Sequence, residues 1–163
     1  MKLQKQMLLR LSALMLVSVM PAFAQVEKVA MKTTGISCGV CAAVSEINFR
    51  RLASVDKVTI SRSSEAIMVS YKPGSAFHPQ EFRDLLKPLE VGIAQFQISA
   101  KGRLQEQGGK RFFLAGKDKF LLVTAANAPP VPSDAPVLIE GIVNDHTYPM
   151  ELKIMTVKLV GSR

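Results

Sequence analysis

The sequence has no tryptophan, two tyrosines and only two cysteines, Cys38 and Cys41, which fall in one short segment. A disulfide-stapled domain distributes its bridges along the chain. A bridge across two intervening residues closes too small a loop to add much stability. Chemistry therefore explains the pair better than stapling. No acidic residue precedes Glu27, and no apolar run reaches the roughly 20 residues that a membrane span needs. The charges are scattered and the aromatics few, without the clustered basic stripe of a nucleic-acid binder, so no nucleic-acid partner is expected. There is no internal repeat, phosphate loop, Ser/His/Asp set or spaced carboxylate pair, and no enzyme is predicted from such signatures.

What the chain does carry begins at its N-terminus. Lys2, Lys5 and Arg10 precede an apolar run over 11–20, and Pro21-Ala22-Phe23-Ala24 follows. This is the three-part layout of a cleavable secretory signal over residues 1–24. The mature chain is then periplasmic or secreted, cut near Ala24 and Gln25, with no stable membrane insertion. Its 18 basic and 13 acidic residues leave a net charge of +5, which favours solubility and weak attraction to an anionic membrane surface.

Between residues 26 and 100 strand and helix patterns alternate. Val29, Met31 and Thr33 alternate with Ala30 and Lys32 as a strand. Residues 41–52 read as a helix with Ala42, Ser45, Phe49 and Leu52 on one stripe, widened by Val44 and Ile47. Residues 55–61 and 66–71 are β-branched and separated by Arg62-Ser63-Ser64-Glu65, the pattern of a hairpin. Pro79 and Glu81 suit a helix start, and Phe82, Leu85, Leu86 and Leu89 follow at helical spacing. Ala94, Phe96 and Ile98 close a βαββαβ order, an antiparallel sheet covered on one face by two helices. Beyond Gly102 five strands are predicted, over 103–107, 110–114, 119–125, 137–144 and 152–160. They loosely resemble a small oligonucleotide/oligosaccharide-binding (OB) barrel, or a sandwich, in count and spacing. The predicted fold class is α+β, with one domain over 25–101 and a second, β-rich domain over 102–163.

The segment Gly35-Ile36-Ser37-Cys38-Gly39-Val40-Cys41 places one cysteine in a loop and the other at the opening of a helix. Unpaired N–H groups at a helix start stabilise thiolates, and thiolates bind soft metals. Two thiolates without a third nearby ligand suit a low-coordinate ion such as Cu(I) better than zinc, whose structural sites take four ligands. His78 and His146 read as capping or surface residues, and Met150 and Met155 as packing residues.

On these residues the chain resembles the heavy-metal-associated (HMA) domain family, whose motif is Gly-Met-x-Cys-x-x-Cys. The likeness covers about residues 26–100 and extends through LASVDKVTISRSSEAIMVSYKP. It departs at Ile36, Ser45, Ser54 and Ile93, none of which is a ligand. The resemblance implies a ferredoxin-like fold for the first domain and metal binding by Cys38 and Cys41. The expected function is capture and transfer of a soft ion, Cu(I) first and Hg(II) or Ag(I) as alternatives. The cargo would pass to a partner protein or transporter, from a monomer or a metal-bridged dimer. A thiol–disulfide exchanger using the same cysteines and an envelope interaction module are the competing expectations.

Overall fold

The computed structural model describes residues 24–123 and 127–160. Nearly all of the expected signal segment lies outside them. Strand β1 (Gln25–Thr34) leads into helix α1 (Gly39–Arg50), the hairpin β2 (Val55–Ser61) and β3 (Ala66–Tyr71), and helix α2 (Pro79–Leu86). Five strands follow: β4 (Gly92–Gln107), β5 (Lys110–Ala115), β6 (Asp118–Val123), β7 (Val137–Asn144) and β8 (Glu151–Leu159).

The expected fold class needs correction. Among the described residues the chain is mostly β, 51% strand and 17% helix, with a closed five-stranded barrel and extra strands, rather than a ferredoxin-like domain followed by a small all-β one. All eight strands belong to one sheet in the order β2-β3-β1-β4-β5-β6-β8-β7, which a further β4–β7 pairing closes at the barrel. Every pairing is antiparallel except that of β6 with β8.

The physical reason lies at Gly102. A glycine after an alternating run reads as a strand end, and the strand predicted from 103 reads as a new one. Instead β4 continues for 16 residues across that position. A side chain at 102 would collide with the Leu114 carbonyl oxygen and the Phe113 ring, so glycine here serves close backbone approach as the strand turns into the barrel. Residues 96–102 pair with β7, 92–101 pair with β1, and 103–107 pair with β5.

One apolar face runs through the whole sheet. Val29 and Met31 of β1, Phe96, Ile98 and Ala100 of β4, and Val137 and Ile139 of β7 are buried in a single cluster. Phe77 stands at its centre, with its ring 5.5 Å from Phe96, 6.3 Å from Phe120 and 6.5 Å from Phe82, so it touches the barrel and α2 together. α2 starts with proline at its first turn, buries Phe82 and Leu86, and is followed by a short 3-10 turn that ends at Glu90 in the left-handed region. α1 buries Ala42, Ser45 and Phe49. The expected widening of that stripe fails at Ile47, which is 51% exposed.

Two polar contacts tie the helical part to the barrel. Arg83 of α2 donates from Nε and Nη2 to the two carboxylate oxygens of Asp145, at 2.9 and 3.0 Å, and from Nη1 to the Ile93 carbonyl. Asp118, at the start of β6, accepts the Phe77 N–H with both oxygens at 3.1 Å. Burial pushes the Asp118 carboxyl up to about 6 from its ordinary 3.8, against the pull of the Phe77 N–H, His78 and Lys117. A carboxyl raised in the folded state contributes stability that is full below about pH 4 and is lost as pH rises through about 6. Asp118→Asn removes that loss. Thermal unfolding should therefore show the variant gaining on the parent between pH 4 and pH 7 and standing above it at neutral pH; a melting difference flat with pH would contradict this account of the buried carboxyl.

Candidate functional site

Cys38 and Cys41 lie where β1 hands over to α1. Gly35 makes the turn with φ of +90°, and a side chain there would press on the Glu90 carbonyl oxygen at 3.2 Å. Ile36 is fully buried and anchors the loop in the core. Cys38 is the N-cap of α1, with extended backbone angles of −62° and 123°. Its Sγ accepts the Cys41 N–H at 3.3 Å, and its carbonyl accepts the Ala42 N–H at 3.0 Å. The helix thus begins at Gly39, earlier than expected, and Cys41 is its third residue.

The β2–β3 turn grips this loop from the side. The Glu65 carbonyl accepts from the N–H and hydroxyl of Thr33, both at 2.8 Å, while its carboxylate accepts the Gly35 N–H at 3.1 Å. Arg62 Nε donates to the Ser37 carbonyl at 3.0 Å. Glu65 holds a positive φ of 46° to do this. Two residues of what reads as a plain hairpin turn, Arg62 and Glu65, therefore also fix the cysteine loop. The antiparallel register of β1 with β3, which sets Lys32 opposite Ala66, brings them there.

Both cysteines are free thiols, Cys38 exposed and Cys41 half-buried. Their acidities diverge. Hydrogen bonds from the Cys41 thiol and N–H hold the Cys38 thiol below its ordinary value of 9.0, helped by the Val40 N–H and the Arg62 guanidinium. Cys41 moves upward because its thiol donates to Cys38 and because of burial, with the charges of Cys38 and Glu90 adding to the shift. An exposed thiol inclined to ionise, beside a half-buried thiol held toward its protonated form, can act as a nucleophile and as a soft ligand.

No protein-family model matches this chain and no curated protein is significantly similar to it.

The site rests on its own geometry. The structure brings Cys38 and Cys41 together and brings none of the other predicted candidates to them. His78 is the exposed N-cap of α2 without a side-chain capping bond. It follows β3 at the end of the sheet where β1 begins, whereas the cysteines follow the end of β1. His146 stands beside Asp145, with Nε2 3.9 Å from Oδ1. Met150 packs half-buried against the core, and Met155 is exposed. Among the described residues no group of three His, Cys, Asp or Glu side chains is arranged to hold a metal ion. Of the departures from the family motif, Ile36 serves as an apolar anchor. Ser45, one helical turn beyond Cys41, is buried with no hydrogen-bond partner for its hydroxyl among the described residues.

Arg62 and Glu90 are the site residues that sequence reading missed. Both sit in turns, where a charged residue ordinarily means solvation, and only the strand register carries them to the cysteines. The divergence within the pair has a direct readout. Under limiting iodoacetamide at neutral pH, reduced protein should be alkylated at Cys38 several-fold faster than at Cys41, as read by peptide mass spectrometry. Equal rates would contradict the asymmetry.

Proposed function

We propose that the chain binds a soft metal ion, Cu(I) first and Hg(II) or Ag(I) as alternatives, between Cys38 and Cys41 and passes it on by ligand exchange to a partner protein or transporter. The observation that carries this reading is the capped pair itself. Two free thiols share one helix N-terminus, one of them already inclined to ionise, on a loop braced by Glu65 and Arg62. Two thiolates suffice for a two-coordinate soft ion and fall short of the four ligands of a structural zinc site. The exposure of Cys38 suits transfer, since an incoming ligand must reach the ion before the outgoing one leaves. The segment Gly35-Ile36-Ser37-Cys38-Gly39-Val40-Cys41, which resembles the Gly-Met-x-Cys-x-x-Cys motif of the heavy-metal-associated family, supports the same function. Export is part of the proposal and rests on the sequence of residues 1–24.

A second reading draws on the same asymmetry. An exposed, stabilised Cys38 and a half-buried, raised Cys41 are also the arrangement of a thiol–disulfide exchanger, with Cys38 attacking and Cys41 resolving. Catalytic turnover of a small disulfide by the reduced protein would favour that function over metal transfer.

The metal reading makes a sharp demand on single variants. Reduced mature protein should take up one Cu(I) or Hg(II) per chain. Cys38→Ser and Cys41→Ser should each weaken binding by more than about a hundredfold, since a serine hydroxyl is a poor ligand for a soft ion. Folding should survive, because the core is built on Phe49, Phe82 and Phe96 rather than on either sulfur. Binding should release protons and weaken as pH falls, because a thiol must ionise to ligate. Competition titrations on the variants, with far-ultraviolet circular dichroism as the folding control, decide the matter; single variants that bind like the parent would remove the reading.

A further inference from the structure

We propose that Arg62 is the anion-holding arm of the Cys38–Cys41 site, and that the small molecule with which the site exchanges its ion is a thiol bearing a carboxylate. This inference rests on the soft-metal reading and adds the chemical class of the exchange ligand.

Arg62 is fixed in place. Its Nε is committed to the Ser37 carbonyl at 3.0 Å. The guanidinium lies flat against Gly39, where a Cβ would stand 3.6 Å from Nη1, 3.7 Å from Cζ and 3.8 Å from Nη2. Gly39 thus gives the planar group a seat directly beside Cys38. Among the described residues neither Nη1 nor Nη2 has a hydrogen-bond or carboxylate partner. A guanidinium held by one nitrogen, with its two terminal nitrogens free, is prepared for the two oxygens of a carboxylate.

The other side of the pair carries the opposite charge. Glu90 stands in the left-handed region after α2, its carbonyl against Gly35, and its carboxylate charge acts on Cys41. An anion is therefore drawn toward Cys38 and repelled from Cys41. This matters because two thiolates around a monovalent ion carry a net charge of −1, and an incoming thiolate adds another. One fixed cation at the point of approach offsets that repulsion. Exchange forms one metal–sulfur bond to the incoming thiolate and breaks one to Cys38, which keeps its electron pair; a second incoming thiolate then displaces Cys41 in the same way, and the ion leaves with two external sulfurs. The ion is neither oxidised nor reduced, and Cys38 is free to take a proton from water. A carboxylate on the incoming molecule, seated on Arg62, holds its sulfur near the ion during the step.

Two measurements on reduced mature protein test this, using the parent, Arg62→Gln and Arg62→Lys. The first needs no metal: alkylation by anionic iodoacetate is compared with alkylation by neutral iodoacetamide. The amide reports the thiolate fraction, so the ratio of the two rates isolates attraction of the anion. Arg62→Gln should lower that ratio about threefold, the effect of one unit charge a few ångströms away in water, and Arg62→Lys should restore most of it. A ratio unchanged in Arg62→Gln overturns the proposal. The second follows release of bound Ag(I) to mercaptoacetate and to 2-mercaptoethanol at matched thiolate concentrations. The parent should prefer mercaptoacetate, and Arg62→Gln should lose the preference. Normal Ag(I) uptake without that preference overturns the exchange ligand alone. Failure of the parent to take up Ag(I) overturns it together with the metal reading.

Discussion

Residues 96–101 of β4 are hydrogen-bonded on both sides at once, to β1 and to β7. Such a strand has no solvent edge, and its inward residues Phe96, Ile98 and Ala100 must satisfy the helical layer and the barrel together. That shared strand gives the chain a single apolar cluster, with Phe77 packed between α2 and the barrel. The Arg83–Asp145 pair and the Phe77–Asp118 contact then fix the remaining freedom between helices and barrel. The consequence for the site is rigidity from behind. β1 is paired by β4 along nearly its full length and by β3 over residues 28–32, so the loop that leaves its end starts from a fixed point.

From that point the cysteine loop is held by backbone and charge rather than by sulfur. Ile36 plugs into the core, Glu65 takes the N–H groups of Thr33 and Gly35, and Arg62 takes the Ser37 carbonyl. The only structural duty of the sulfurs is the cap that Cys38 Sγ provides to the Cys41 N–H, which suits the proposed release of a bound ion. The same arrangement separates the two thiols electrically. Cys38 stands in the open beside a cation, and Cys41 stands half-buried on the side of an anion. In the proposed function a soft ion bridging them would exchange first at Cys38 and last at Cys41.

The legible parts of this design are those written in neighbouring residues. The hairpin over 55–71 follows from β-branched alternation on either side of a polar turn, and α2 follows from Pro79, Glu81 and the spacing of Phe82 and Leu86. The cysteine pair announced itself by spacing and by the glycines around it. What stayed hidden depends on contacts distant along the chain. Gly102 has the local signature of a strand end and acts instead as the place where β4 can approach Leu114 and run on into the barrel as one continuous strand. Ile47 belongs to an apolar pattern yet faces solvent, because the helix rotates to bury Ala42, Ser45 and Phe49. Arg62 and Glu90 gain meaning only when the strand register has brought their turns beside the cysteines.

The central claim is that Cys38 and Cys41 supply the whole inner shell of a bound soft ion. X-ray absorption spectroscopy at the copper edge, on reduced protein loaded with less than one equivalent of Cu(I), addresses it directly. The expected spectrum is that of a monovalent ion with two sulfur neighbours and no nitrogen or oxygen. A third sulfur, a nitrogen donor or a nearby second metal would show that another residue or another chain completes the site, and would contradict the account.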